Sequence, residues 1–280
     1  MKFAFVNGIR QEPAPKSKGI CCYCGSATQA KCGSRKVWHW AHITLQYCDS
    51  WWESETEWHR LWKSYFPHQN QEIVHFDDAT GEKHIADIKT NNAMVIEIQN
   101  SPMSESEMLS RESFYGKMMW IVNGEKFKKN FTILGKLPDP KSEIAQQIRF
   151  WDVRKRHRGN QPKNAHEKSI LNRVRFYLRS ENPDYESMIK LPSSEDDHRV
   201  RKEIEVSYVG HHKFIWKNPR SVWFESTKPV FIDFGGDELW HLMDYDSTGL
   251  KCVKKVSKAS LIEKNGAGWF HCECRKMRMD

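Results

Sequence analysis

Two short runs of alternating side chains constrain this chain more than any other feature. Residues 83–89 (KHIADIK) and 94–99 (MVIEIQ) read as strands, and Asn91-Asn92 between them signals a hairpin. In the second run Met94, Ile96 and Ile98 fall on one face, and Val95, Glu97 and Gln99 on the other. A two-residue loop would set Asp87 against Ile96 and place an acid on the apolar face. A three-residue loop, Asn91 to Ala93, sets Asp87 against Glu97, Ile88 against Ile96 and Ala86 against Ile98. The odd loop keeps apolar against apolar, so it is the expected register.

That register brings two carboxylates face to face, with Gln99 on the same side. Like charges directly opposite repel unless something neutralises them. A divalent cation does so, and oxygen ligands suit Mg²⁺ or Mn²⁺. Such an ion can activate water and clamp a phosphate oxygen. A solvated strand face that carries an Asp and a Glu by chance explains the pair alone equally well. The surroundings say more. A helix is expected from Ser54, with Trp58, Leu61, Trp62, Tyr65 and Phe66 as its apolar stripe and Pro67 as its stop. A strand at 73–76 follows it. After the hairpin come a helix at 104–117 and a buried strand, MMWIV, at 118–122.

The run from His84 to Val122, with its AD, EIQxS, Arg–Tyr helix and closing W-I-V strand in order, resembles the nuclease core of the competence protein CoiA-like family. In that family a CxxC/HxxH module precedes a PD-(D/E)xK fold, and the resemblance spans residues 18–125. It implies an α/β protein with a PD-(D/E)xK restriction-endonuclease-like core, an N-terminal zinc-binding module and a mixed α/β-rich C-terminal region. Asp87 and Glu97 would hold Mg²⁺ or Mn²⁺, and Glu57 would be the acid of the first helix. Arg111 and Tyr115, with Ser101 of the EIQxS run, would face nucleic acid. Gln99 stands where a lysine is commoner, and an amide neither takes a proton nor supplies positive charge. Water activation would then rest on the metal or another residue. His84 alternates to the opposite face from Asp87, which speaks against it. On a helix Glu57 and His59 lie about 200° apart, and His59 aligns with Glu55 and Lys63 as a surface ladder would.

Cys21-x2-Cys24, a gap, then His39-x2-His42 has the shape of a tetrahedral Zn²⁺ site, with Cys48 as the alternative to one histidine. Reduced thiols packed with Trp38 and Trp40 are the bland alternative. A closed four-ligand site would be structural.

Four sections are expected: a zinc module at 1–50, the nuclease core at 51–135, a basic helical connector at 136–183, and a mostly β domain at 184–280. A net charge of +8 suits a polyanionic partner. Arg154, Lys155 and Arg156 are the candidate phosphate contacts, although a solvated helix face explains them almost as well. Trp216, Trp223 and Phe224 are expected in the core. Phe234-Gly235-Gly236-Asp237-Glu238 and Asp233-Phe234-Gly235 spell a cyclase and a kinase motif without the context of either, so a hairpin turn is expected. Cys252, Cys272 and Cys274 with His271 form a weak second metal candidate. No apolar run approaches about 20 residues and no signal-peptide core follows the start, so a cytoplasmic protein is expected. The reading is a metal-dependent nuclease, with DNA the favoured substrate and a protein partner conceivable for the C-terminal region. The alternatives are a non-catalytic nucleic-acid-binding protein of recombination or DNA uptake, and a restriction or phage-defence effector with the same chemistry.

Overall fold

The computed structural model describes residues 1–44, 48–51, 55–78, 80–150, 175–183 and 190–266. The chain forms two compact units, one built on Met1–Val122 and the other on Asn123–Lys258. The division falls earlier than residue 135, because the strand that opens the second unit pairs within that unit.

The first unit begins with a five-stranded antiparallel sheet. Its strands are β1 (Ala4–Val6), β2 (Ile9–Gln11), β3 (Lys18–Cys21), β4 (Ala27–Lys31) and β5 (His39–His42), in the order β2-β1-β3-β4-β5. Ala4, Cys21 and Trp40 pack with Met1 into a small core on one face. A mixed sheet follows, of β6 (Gln71–Phe76), β7 (Lys83–Lys89), β8 (Val95–Gln99) and β9 (Met118–Asn123). β8 and β9 are parallel, joined by a helix, and buried along their whole length, as a strand pair covered on both faces must be.

Helix α1 (Glu57–Ser64) starts at a reciprocal cap. The Thr56 hydroxyl accepts from the His59 N–H, and His59 Nδ1 accepts from the Thr56 N–H at 3.3 Å. Its buried face is His59, Trp62 and Lys63, continuing to Phe66; Leu61, expected in the stripe, is 45% exposed. Helix α2 (Glu105–Tyr115) is capped by Ser104 and ends at Gly116, whose φ of 63° suits glycine. Its buried stripe is Met108, Arg111, Glu112 and Tyr115, so half of the inward face is charged.

The odd register is observed. Ile88 pairs with Ile96 and Lys89 with Val95, and the Thr90 N–H donates to the Met94 carbonyl at 2.9 Å to close the loop. Ala93 turns the loop at φ 59°.

The second unit holds β10 (Phe131–Lys136), α3 (Glu143–Gln147), β11 (Ile148–Phe150), β12 (Phe176–Leu178), α4 (Ser194–Val206), β13 (His211–Trp216), α5 (Val222–Glu225), β14 (Val230–Asp233), β15 (Glu238–Asp244) and β16 (Lys251–Ser257). Its main sheet runs β10-β13-β16-β15-β14. α4 lays Val200 and Ile204 on Ile144, Ile148, Phe176 and Leu178. Trp216 and Trp223 are core residues, while Phe224 is half-buried and packs against Phe214 and Trp216. The glycine pair is a plain hairpin turn: Gly235 has φ 84° and donates its N–H to Asp233 Oδ1 at 2.8 Å. Cys252 is fully buried against Leu137 and Tyr245, and burial pushes its thiol up to about 12. Arg154–Arg156, His271, Cys272 and Cys274 lie outside the described residues. Among the described residues no helix is long and apolar enough to cross a membrane.

Ala93 lies in the left-handed region, where a Cβ costs roughly 1–2 kcal/mol. Ala93→Gly removes that cost and adds roughly 0.4–1 kcal/mol of unfolded-chain entropy to be lost on folding. Urea titration should therefore show a stability unchanged or raised by up to about 1.6 kcal/mol. The β-branched Ala93→Val should lose more than about 1 kcal/mol.

Candidate active site and metal centre

The odd loop delivers what the alternation required: Asp87 and Glu97 sit at the same level on neighbouring strands. Backbone pairing between β7 and β8 stops there, and the carboxylates take its place. The Asp87 N–H donates to Glu97 Oε1 at 3.1 Å, and the Ile98 N–H donates to Asp87 Oδ2 at 2.9 Å. Both acids line a cavity of about 60 Å³, together with Asp49, Glu55, His59, Lys63, Glu72, Gln99 and Arg111. At roughly 10–15 Å³ of such space per water, it has room for an ion together with a few waters.

Lys63, from α1, is the centre of the site. Its ammonium donates to Glu72 Oε1 at 3.1 Å and pairs with Asp87 Oδ1 at 2.9 Å and Glu55 Oε1 at 3.0 Å, with its side chain 4% exposed. Burial works to neutralise it, but the charges of Asp87, Glu72 and Glu55 overcome that and hold it protonated well above the ordinary lysine range. Glu72 reaches the site through a backbone distortion, with φ at 47° at the second residue of β6. Its carboxylate also accepts from the Lys2 N–H at 2.9 Å. Burial opposes its charge, yet Lys63, the N-terminal ammonium and the Lys2 N–H bring it down to about 2.

Glu97 has the opposite balance. Burial first, and the neighbouring Asp87 second, push it up to about 8 against the pull of Arg111. Arg111 Nη1 donates to Glu97 Oε2 at 3.2 Å and Nη2 donates to the Trp51 carbonyl at 3.0 Å. Asp49 closes the rim: its Oδ2 accepts from the Ile85 N–H and its Oδ1 pairs with His84 Nδ1, both at 2.7 Å.

Several expected residues stand elsewhere. Glu57 is exposed, because the 100° helical step carries it away from the face of His59 and Lys63; Glu55 and Glu72 supply the acids instead. The Glu55–His59–Lys63 alignment exists, but it is a buried lining and not a surface ladder. Arg111 and Tyr115 do not face a ligand from outside. They sit in the buried stripe of α2, Arg111 on Glu97 and Tyr115 with its hydroxyl buried and lacking a hydrogen-bond partner among the described residues. Ser101 is partly exposed, and its carbonyl accepts from Gln99 Nε2 at 3.1 Å. His84 is stacked on Trp51 outside the cavity lining.

The metal-competent cluster of the first sheet is Cys21, Cys24, His42 and Cys48, whose ligand atoms all lie within 4.8 Å of one another. Cys21 Sγ is 3.7 Å from Cys48 Sγ, and Cys24 Sγ is 3.2 Å from His42 Nε2. A tetrahedron with Zn–S bonds of about 2.3 Å has edges of about 3.8 Å, so the group can hold a metal such as zinc. The Cys48 thiol, donating to Cys21, draws Cys21 down to about 4 and is itself pushed up. His39 is not a ligand. Residues 39 and 42 of one strand point to opposite faces, and His39 Nδ1 lies 2.9 Å from the Val37 carbonyl. An HxxH pair meets one ion from a helix; from a strand Cys48 takes the vacant corner.

Comparison with family models, with curated proteins and with solved structures gave no match. The reading therefore rests on the geometry of these two centres.

Two outcomes follow. Elemental analysis should find about one zinc per chain, lost in Cys48→Ser or His42→Ala and retained in His39→Ala; retention in all three would remove the site. Lys63→Met removes the cation shared by Asp87, Glu55 and Glu72, leaving Glu55 with Arg60 and Glu72 with the N-terminal ammonium and the Lys2 N–H, and should cost about 3 kcal/mol in thermal or urea unfolding. A cost below about 1 kcal/mol would show that the ammonium is not their counter-charge.

Proposed function

We propose that this chain is a metal-dependent nuclease of the PD-(D/E)xK kind, similar to the CoiA-like family, that hydrolyses phosphodiester bonds in DNA. One observation carries the reading. Asp87 and Glu97 meet where strand pairing gives way, in a partly open cavity that also holds a buried lysine. The donor set is hard oxygen and fits Mg²⁺ or Mn²⁺, which often take one or two carboxylates and leave other positions to water and phosphate. When bound, the ion polarises a phosphate oxygen and lowers the pKa of water.

The chain's own groups do the rest. Asp87 and Glu97 hold the ion, and Arg111 fixes the direction of Glu97. Lys63 supplies from α1 the positive charge that Gln99 does not supply from β8. Gln99, pinned to Ser101, lines the cavity beside Glu97. Arg154, Lys155 and Arg156 remain the proposed phosphate contacts of the connector.

A second reading has its own support. Each acid already carries an internal cation, Asp87 through Lys63 and Glu97 through Arg111, as in a scaffold that binds nucleic acid without cutting it. The test incubates the pure protein with single- and double-stranded DNA and RNA in Mg²⁺ or Mn²⁺. Cleavage is expected with the parent, and Asp87→Asn and Glu97→Gln should each lose more than about 100-fold, the upper end of what an outer-shell partner costs. Nucleic-acid binding should persist. Undiminished cleavage by either variant would sink the assignment, and binding without cleavage on every substrate would select the scaffold.

A further inference from the structure

The five-stranded sheet has a second face that the zinc cluster and its core do not use. Cross-strand pairs share a face, so Phe5↔Ile20 and Ile20↔Ala27 place Phe5, Ile20 and Ala27 together. Alternation adds Lys18 and Lys31 to the same side. Ala4, Cys21, Thr28 and Trp40 take the other side and are buried. The free face is open: Phe5 is 39% and Ile20 is 52% exposed, and Lys18 and Lys31 are exposed beside them. Phe5, Ile20 and Lys18 also line a shallow, open concavity beside the turn after β1.

The charge around this face is one-sided. Residues 1–44 contain seven lysines and arginines and a single acid, Glu12. Glu12 is paired with Lys2, whereas Lys16, Lys18, Lys31, Arg35 and Lys36 are exposed. A ring and a branched side chain lying open between ammonium groups match the two parts of a nucleic-acid strand, base planes and phosphates. A duplex keeps its base planes stacked inside and offers only edges and phosphates. The favoured occupant is therefore an unpaired strand.

We propose that the outer face of β1, β3 and β4 is a docking surface for single-stranded DNA, with bases on Phe5 and Ile20 and phosphates on Lys18 and Lys31. The choice of DNA rests on the nuclease reading above. The surface itself does not, and its test needs no cleavage. Binding of labelled oligo(dT), oligo(rU) and a duplex is measured with the full zinc-loaded chain in Mg²⁺-free buffer across a salt series. Phe5→Ala should weaken oligo(dT) binding by about fivefold or more and duplex binding by less than about twofold. The double variant Lys18→Gln/Lys31→Gln should flatten the slope of log K against log[salt] by about 1.4, at about 0.7 per phosphate contact on a single strand. Zinc content, measured on the same samples, should stay unchanged and so report an intact sheet. Parent-like affinity and slope in both variants would overturn the surface, as would equal losses for strand and duplex. A preference for oligo(rU) would overturn the assignment to DNA. If the surface holds while the parent cuts nothing, the cleavage reading fails alone.

Discussion

The first unit is organised around one buried ammonium. Lys63 contacts Glu55 beside its own helix, Glu72 on β6 and Asp87 on β7, and so ties three separate stretches of chain to one point. Burying such a charge without partners is prohibitive. The attraction of three carboxylates at about hydrogen-bond distance reverses the balance, with Arg60 on Glu55 and the Lys2 N–H on Glu72 holding part of the acid charge independently. The distortion at Glu72 and the inward turn of α1 are what bring them together.

Around that point the structure replaces backbone pairing with side-chain pairing. At Asp87 and Glu97 the carboxylates accept from backbone N–H groups, so two acids that would repel are fixed by donors already in place. The same logic explains the unusual inward face of α2. Its Arg111 answers Glu97, and its Glu112 accepts from the Trp120 indole N–H at 2.9 Å. A helix covering an acidic floor must carry polar groups where an ordinary one carries leucine.

Local pattern made the hairpin legible, because period-two alternation admits one loop parity and Ile88 against Ile96 is what the structure has. Helix α2, the buried strand after it and the hairpin turn at Gly235 followed for similarly local reasons, whereas the parallel pairing of β8 with β9 is a long-range contact that no local pattern spells out. Lys63 was not legible as a site residue. A lysine one step from Trp62 reads as the edge of an apolar stripe, and its burial depends on Glu72, which is distant in the helix-forming segment's view and backbone-distorted. The zinc set failed at His39 because motif spacing was weighed without the strand period that His39–His42 adopts. Glu57 failed for the matching helical reason, a 100° step that favours the Glu55 side. In each case the signal existed as geometry of a secondary element, and became decisive once the element type was known.

The turn at Asn91–Ala93 also limits how this stretch of gene can change. A lost codon leaves the site intact only if the shortened loop still closes on Thr90 and Met94, which keeps Ile88 against Ile96 and Asp87 beside Glu97. If three residues are instead kept in the loop, the pairing slides by one position and an isoleucine replaces Glu97 at the centre. What descendants of the chain must hold in this surface loop is therefore the closing pair, whatever the loop's length, because that pair sets the chemistry at the far end of its strands.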